Sequence, residues 1–189
     1  MKINQEIYYH ANSNKKLSVG DVLIFDCNTK NKMYDAIYNS SFLLYGKDAN
    51  EIMNDKRRSK DVNFSRDELN LIFETVNNSA FVMRELALEE VRKNLFSKYP
   101  SRLSCLYVTN EKKEAHFWSS VLKRNGKECM QILTLELTGD IYSFDGKFLM
   151  RKNCSYQEHL DNALKYWNSD GGEEYLFLGS AKVVEIEEL

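Results

Sequence analysis

Three segments gather the side chains best suited to chemistry, and they occur in a fixed order. The first is Ile7-Tyr8-Tyr9-His10-Ala11-Asn12, with Leu17, Gly20 and Val22 behind it. The second is Leu106-Tyr107-Val108-Thr109-Asn110, preceded by Pro100-Ser101-Arg102 and followed by Ala115 and Trp118. The third is Glu173-Glu174-Tyr175-Leu176-Phe177-Leu178. A histidine can hydrogen-bond a ligand hydroxyl or move a proton, and facing aromatics can hold a flat ring. A carboxylate can stabilise a cation that develops on a sugar carbon. Taken singly, the same residues have ordinary readings: a partly buried strand histidine, two core aromatics, and a solvated glutamate in an acidic tail with Glu185, Glu187 and Glu188.

Several other chemistries lack their residues. No Walker A, G-x-G-x-x-G, H-E-x-x-H or G-x-S-x-G pattern is present. Cys27, Cys105, Cys129 and Cys154 lie 78, 24 and 25 residues apart, which gives no C-x-x-C unit, so they read as reduced and mostly buried. His10, His116 and His159 are far apart in sequence, and no metal is expected. The 26 basic residues against 28 acidic ones give a net charge of −2, which argues against a protein that holds nucleic acid mainly by neutralising phosphates. With 43% hydrophobic residues the chain can bury a sizeable core, expected as one domain over residues 1–189. Its first ten residues are polar and no run nears the roughly 20 apolar residues of a membrane span, so a cytoplasmic protein without membrane contact is expected.

The elements that must hold these residues follow from hydrophobic period, and the class they predict is α+β. Strands are expected at Ile7 to Ala11, Val22 to Phe25, Leu103 to Thr109, Met130 to Leu137, Ile141 to Phe144, Tyr175 to Leu178 and Lys182 to Ile186, with a tight turn at Gly139-Asp140. Ser65 and Glu68 form a capping box at the head of a helical run. Leu69, Ile72, Phe73, Val76 and Ala80 recur there at helical spacing, and after Asn77-Asn78-Ser79, a possible break, the pattern resumes through Met83, Leu86, Ala87, Val91 and Leu95, ending before Pro100. A second box, Ser155 with Glu158, opens a helix through Leu160, Ala163, Leu164 and Trp167 that Gly171-Gly172 should end. The polar stretch Lys47 to Asn63 reads as a solvated loop or helix end, or as a contact for an acidic partner.

Together the three segments resemble the ADP-ribosyltransferase superfamily, in the His-Tyr-Glu branch that includes diphtheria toxin, the poly(ADP-ribose) polymerases and bacterial DNA-modifying toxins. The resemblance lies in a first strand ending in Tyr9 and His10, a later strand with Tyr107 followed by a hydroxyl residue and a helix, and a late strand opening with Glu174. Trp118 lies 11 residues after Tyr107, where the branch carries a second stacking aromatic, and the Pro100-Ser101-Arg102 motif is similar to that of bacterial and phage members. The resemblance implies a split β-sandwich core with a helical insertion at about residues 65–97, and NAD as co-substrate. It further implies transfer of ADP-ribose to an intracellular protein or nucleic acid, in a toxin, a phage-encoded host modulator or a defence factor. A NAD glycohydrolase, or an inactive binding module on the same fold, is the alternative.

By the same resemblance Glu174 is the catalytic carboxylate. His10 would bind the adenosine ribose, the Ala11 backbone the nicotinamide amide, and Tyr107 with Trp118 the nicotinamide ring. Arg102 would pair with the pyrophosphate, or merely cap the sheet. Gly172 stands two residues before Glu174 and His10 holds the first-strand position, which disfavours arginine modification of the cholera-toxin type.

Overall fold

The computed structural model describes residues 1–13, 15–60, 63–124, 128–149, 155–169 and 171–189. Five strands form one antiparallel sheet: β1 (Lys2–Asn12), β2 (Val22–Phe25), β3 (Leu106–Val108), β4 (Gln131–Phe144) and β5 (Glu174–Glu188). Among the described residues five α-helices accompany them: α1 (Lys32–Tyr38), α2 (Ala49–Ser59), α3 (Arg66–Leu95), α4 (Lys112–Arg124) and α5 (Tyr156–Trp167). The expected α+β class is what the chain forms.

The long β4–β5 ribbon is the frame. β1 lines one of its edges, while β2 and β3 share the other, β2 on Gly179 to Lys182 and β3 on Tyr175 to Phe177. One residue beyond β3, Thr109 exchanges two backbone hydrogen bonds with Tyr9 of β1, at 2.8 and 2.9 Å. The partners of Tyr9 and Tyr175 on β4 are Thr134 and Ser143, nine residues apart, so β3 can reach both only if the ribbon bends. The bend has a visible cause. Gly139 and Gly179 face each other in register, and a Cβ on either would overlap the backbone of the strand opposite.

This corrects the sequence reading at several points. Gly139-Asp140 is not a turn; β4 and β5 each run unbroken where two strands apiece were expected, because the glycines serve close approach. Expected at Leu103 to Thr109, β3 spans three residues only, since Ser104 N–H bonds back to the Ser101 carbonyl in a turn. The helix α3 passes through Asn77-Asn78-Ser79 without a break. The polar stretch from Lys47 is the helix α2, begun by an Asp48–Glu51 capping box, with Ala49 and Ile52 buried. Both expected capping boxes, at Ser65 and Ser155, form. α5 stops at Trp167, before the glycines. Cys105 and Cys129 are buried and Cys27 exposed, all three as free thiols, whereas Cys154 lies outside the described residues.

Two apolar layers result. Alternation along β5 sends Phe177, Ala181 and Val183 into a core shared with Tyr8, Leu106, Val108, Leu133, Leu135 and Leu137. Leu176 points to the opposite face, where Leu88 and Val91 of α3 and Ala163, Tyr166 and Trp167 of α5 cover the sheet. There Trp167 Nε1 donates to the Leu88 carbonyl at 2.8 Å, which pins α5 to α3.

Candidate active site at the meeting of three strands

His10, Tyr107 and Glu174 sit on β1, β3 and β5, which meet through the Tyr9–Thr109 bridge and the Val108–Tyr175 pair. The His10 Nδ1 lies 2.8 Å from the Tyr107 carbonyl oxygen, which can only accept, so Nδ1 carries the proton. Burial pushes this imidazole below its ordinary range, against the opposing effect of that hydrogen bond. A neutral His10 therefore keeps Nε2 as an acceptor for a ligand hydroxyl.

Ala11 is half-buried on β1, opposite Ile132. Tyr9 turns its N–H and C=O toward Thr109, and by ladder alternation Ala11 turns its own to the same edge, on the side where the antiparallel register leads back toward Tyr107. An amide lying along that edge would meet a donor and an acceptor.

Glu174 opens β5 opposite Phe144, and its side chain is 17% exposed. Its Oε2 accepts hydrogen bonds from Arg102 Nη1 and from the Tyr166 hydroxyl. Arg102 is itself buried: its Nε donates to Glu85 Oε2 at 2.9 Å and its Nη1 also to the Tyr166 oxygen at 2.8 Å. Glu85, on α3, takes the Arg84 guanidinium on its other oxygen, at 2.5 and 2.9 Å. Burial alone would raise the Glu85 carboxyl, yet Arg102 and Arg84 more than reverse this and hold it below the ordinary range. Two arginines thus alternate with two carboxylates, which spares any one buried charge from standing unpaired.

The Tyr107 hydroxyl donates to the Arg102 carbonyl at 2.8 Å, and the guanidinium lies over the Tyr107 ring, 5.4 Å from its centroid. Burial pushes the Tyr107 and Tyr166 phenols well above their ordinary range, outweighing the opposing pull of Arg102. Nearby Cys105 is pushed up to about 12 by burial, so its thiol stays protonated and is no nucleophile at neutral pH. Asn31 clasps the turn from outside: its Nδ2 donates to the Arg102 and Cys105 carbonyls at 2.8 and 2.9 Å while its Oδ1 caps α1.

Contacts of Arg102 therefore join Tyr107 and Glu174, and His10 is tied in through the Tyr107 backbone. Trp118 is not drawn in. It lies on α4, 46% exposed, edge-on to Phe117 at 5.6 Å, and among the described residues its ring makes no contact with Tyr107. Arg102, expected to face a pyrophosphate or to cap the sheet, turns inward to Glu85 and Glu174.

The sequence reading missed Glu85, Tyr166 and Asn31. For Glu85 a signal existed, since it stands three residues before Leu88 and six before Val91, in the buried phase of α3. Among the described residues no group of His, Cys, Asp and Glu is arranged to hold a metal, and no helix is long and apolar enough to cross a membrane.

The fold and site define an α+β protein whose bent antiparallel sheet carries an ion-paired carboxylate on β5 and a neutral histidine on β1. The chain belongs to the DUF2441 family, described as proteins of unknown function, whose family model matches residues 8–188. Among the curated proteins none matches it.

Proposed function

We propose that the chain is a NAD-dependent ADP-ribosyltransferase. The observation that carries this reading is the meeting of three strands: the resemblance concerns three residues separated by most of the chain, and His10, Tyr107 and Glu174 lie on strands that pair in sequence, β1 to β3 to β5. The bent β4–β5 ribbon, closed on β1 through β3, supports a split β-sandwich with the cofactor cleft at the β1–β3 junction.

In the proposed reaction the bond between the ribose C1′ and the nicotinamide nitrogen breaks. Nicotinamide leaves with the electron pair, and C1′ becomes oxocarbenium-like before a nucleophile on a protein or nucleic acid adds and gives up its proton. Glu174, with Oε2 held by Arg102 and Tyr166, would use Oε1 to accept from a ribose hydroxyl and place negative charge by the cation. His10 Nε2 would accept from the adenosine ribose, and the Ala11 backbone would hold the carboxamide. Tyr107 offers the ring face turned away from Arg102, and Trp118 would have to approach for a two-sided stack. In this reading Arg102 orients Glu174 instead of binding pyrophosphate.

The test is nicotinamide release from NAD in a cell lysate, wild type against Glu174→Gln, with tagged NAD to reveal modified macromolecules. Release and labelling by the wild type alone support the reading, and release without labelling turns it toward a glycohydrolase. No release, with no thermal stabilisation by NAD, overturns it; ligand at 100 times its dissociation constant should add about 2.7 kcal/mol.

A further inference from the structure

The apolar stripe on the first half of α3 is not the face that α3 turns to the sheet. Leu69, Phe73 and Val76 are 52%, 73% and 58% exposed, and Met83 is exposed as well. With Ala80 they step along the helix by four, three, four and three residues, a single straight seam about 21 Å long. The fifteen residues from Leu69 to Met83 contain one charge, Glu74, in a chain that is 29% charged. The next twelve, Arg84 to Leu95, contain six. Beside the seam lies a cavity of about 280 Å³ whose walls include Met53, Ile72, Val76, Ser79, Ala80 and Met83.

We propose that this face is a two-fold interface in which α3 pairs antiparallel with α3 of a second copy of the chain, the axis passing near Val76. In that register Phe73 meets the small residues Ser79 and Ala80 of the second copy, and its ring enters the cavity beside them. Leu69 meets Met83, and Val76 meets its own equivalent. Glu74, the one charge in this half of α3, lies on the far side of the helix from the seam and stays in solvent.

A second copy fits better than a foreign partner for two reasons. The most exposed knob, Phe73, and the notch at Ala80 that accepts it lie on one face of one helix, seven residues apart, so a single two-fold axis fills both notches and covers both knobs. The seam is flanked by Asn70, Asn77 and Ser79, and these uncharged side chains ask for no opposite charge from elsewhere. Apolar surface of this extent, bounded by polar residues, is the ordinary sign of an association face.

Sedimentation equilibrium of the full chain across the micromolar range tests the proposal. The wild type should show a species of twice the 22.1 kDa chain mass. Phe73→Asp and Val76→Asp each place a carboxylate in the seam twice, and each should raise the dimer dissociation constant by about 100-fold or more. Their circular dichroism should stay unchanged, because both positions are exposed. Leu95→Asp, exposed but off the seam, should leave the dimer intact. In a Cys27→Ser background, Val76→Cys should form a disulfide-linked dimer on mild oxidation, since a residue near the axis faces its own copy. A wild type that stays monomeric across the range overturns the proposal. So does a dimer that is indifferent to both aspartates, or one in which Val76→Cys fails to cross-link.

Discussion

From Arg84 to Leu95, α3 carries six charged residues, yet this half supplies Ala87, Leu88 and Val91 to the core and buries a glutamate. From Leu69 to Met83 it carries one charge, yet leaves Leu69, Phe73, Val76 and Met83 in solvent. The difference lies in what stands opposite. The second half packs against α5 and one face of the sheet, where Trp167 and Tyr166 close over it and two arginines neutralise Glu85. The first half meets α2 through Leu71 and Ile72, while the seam of Leu69, Phe73, Val76 and Met83 stays in solvent. Polarity within a helix thus tells which faces could be buried, and neighbouring elements decide which are.

The largest break in this comparison should come from Glu85→Ala, which strands Arg84 and Arg102 inside the second half. A loss of about 3–5 kcal/mol is expected in urea unfolding. Next, Leu88→Ala should cost about 2–5 kcal/mol through a cavity between α3 and α5. Phe73→Ala, measured where the chain is monomeric, should stay within about 0.5 kcal/mol despite its larger side chain. A Phe73→Ala loss as large as that of Leu88→Ala would show that the first half is covered within one chain.

A smaller effect is expected at the junction of α3 with the loop before it. Ser65→Ala removes the acceptor for the Glu68 N–H and should cost about 1 kcal/mol, read by thermal melting.

The smallest effect is a pH dependence confined to the sheet side. Burial keeps the folded His10 pKa below its unfolded value, so the unfolded chain binds the extra proton first, and stability should fall as pH drops below about 6.5. In His10→Gln, melting temperatures from neutral pH down to pH about 5 should fall less steeply than in the wild type. Equal slopes would mean that His10 is not held neutral.

Much of the fold is legible in the sequence. The capping boxes at Ser65 and Ser155 fixed two helix starts because a side-chain acceptor at the N-cap and a glutamate three residues on satisfy backbone groups locally. The same signal at Asp48 and Glu51 marks the start of α2, inside a stretch whose polarity by itself reads as a solvated loop. Gly139 and Gly179 were legible only as glycines. Whether such a residue turns a chain or lets two strands approach depends on what lies across the sheet, and Gly179 is 40 residues away in sequence.

At the site, residue types were readable and environments were not. Nothing local reveals that Arg102 points inward, because its partners Glu85, Tyr166 and Glu174 come from α3, α5 and β5.

The sequence by itself determined the α+β class, the helix starts, the apolar stripe on α3 and the order of the three segments that carry His10, Tyr107 and Glu174, since each rests on neighbours a few residues apart or on order along the chain. Tertiary structure alone decided that β4 and β5 run unbroken through a bend, that Glu85 is a buried ion and Phe73 is not buried, and that Arg102 braces Glu174. Each of these depends on contacts between residues remote in the chain, where the desolvation of a charge or an apolar surface is set by which element happens to cover it.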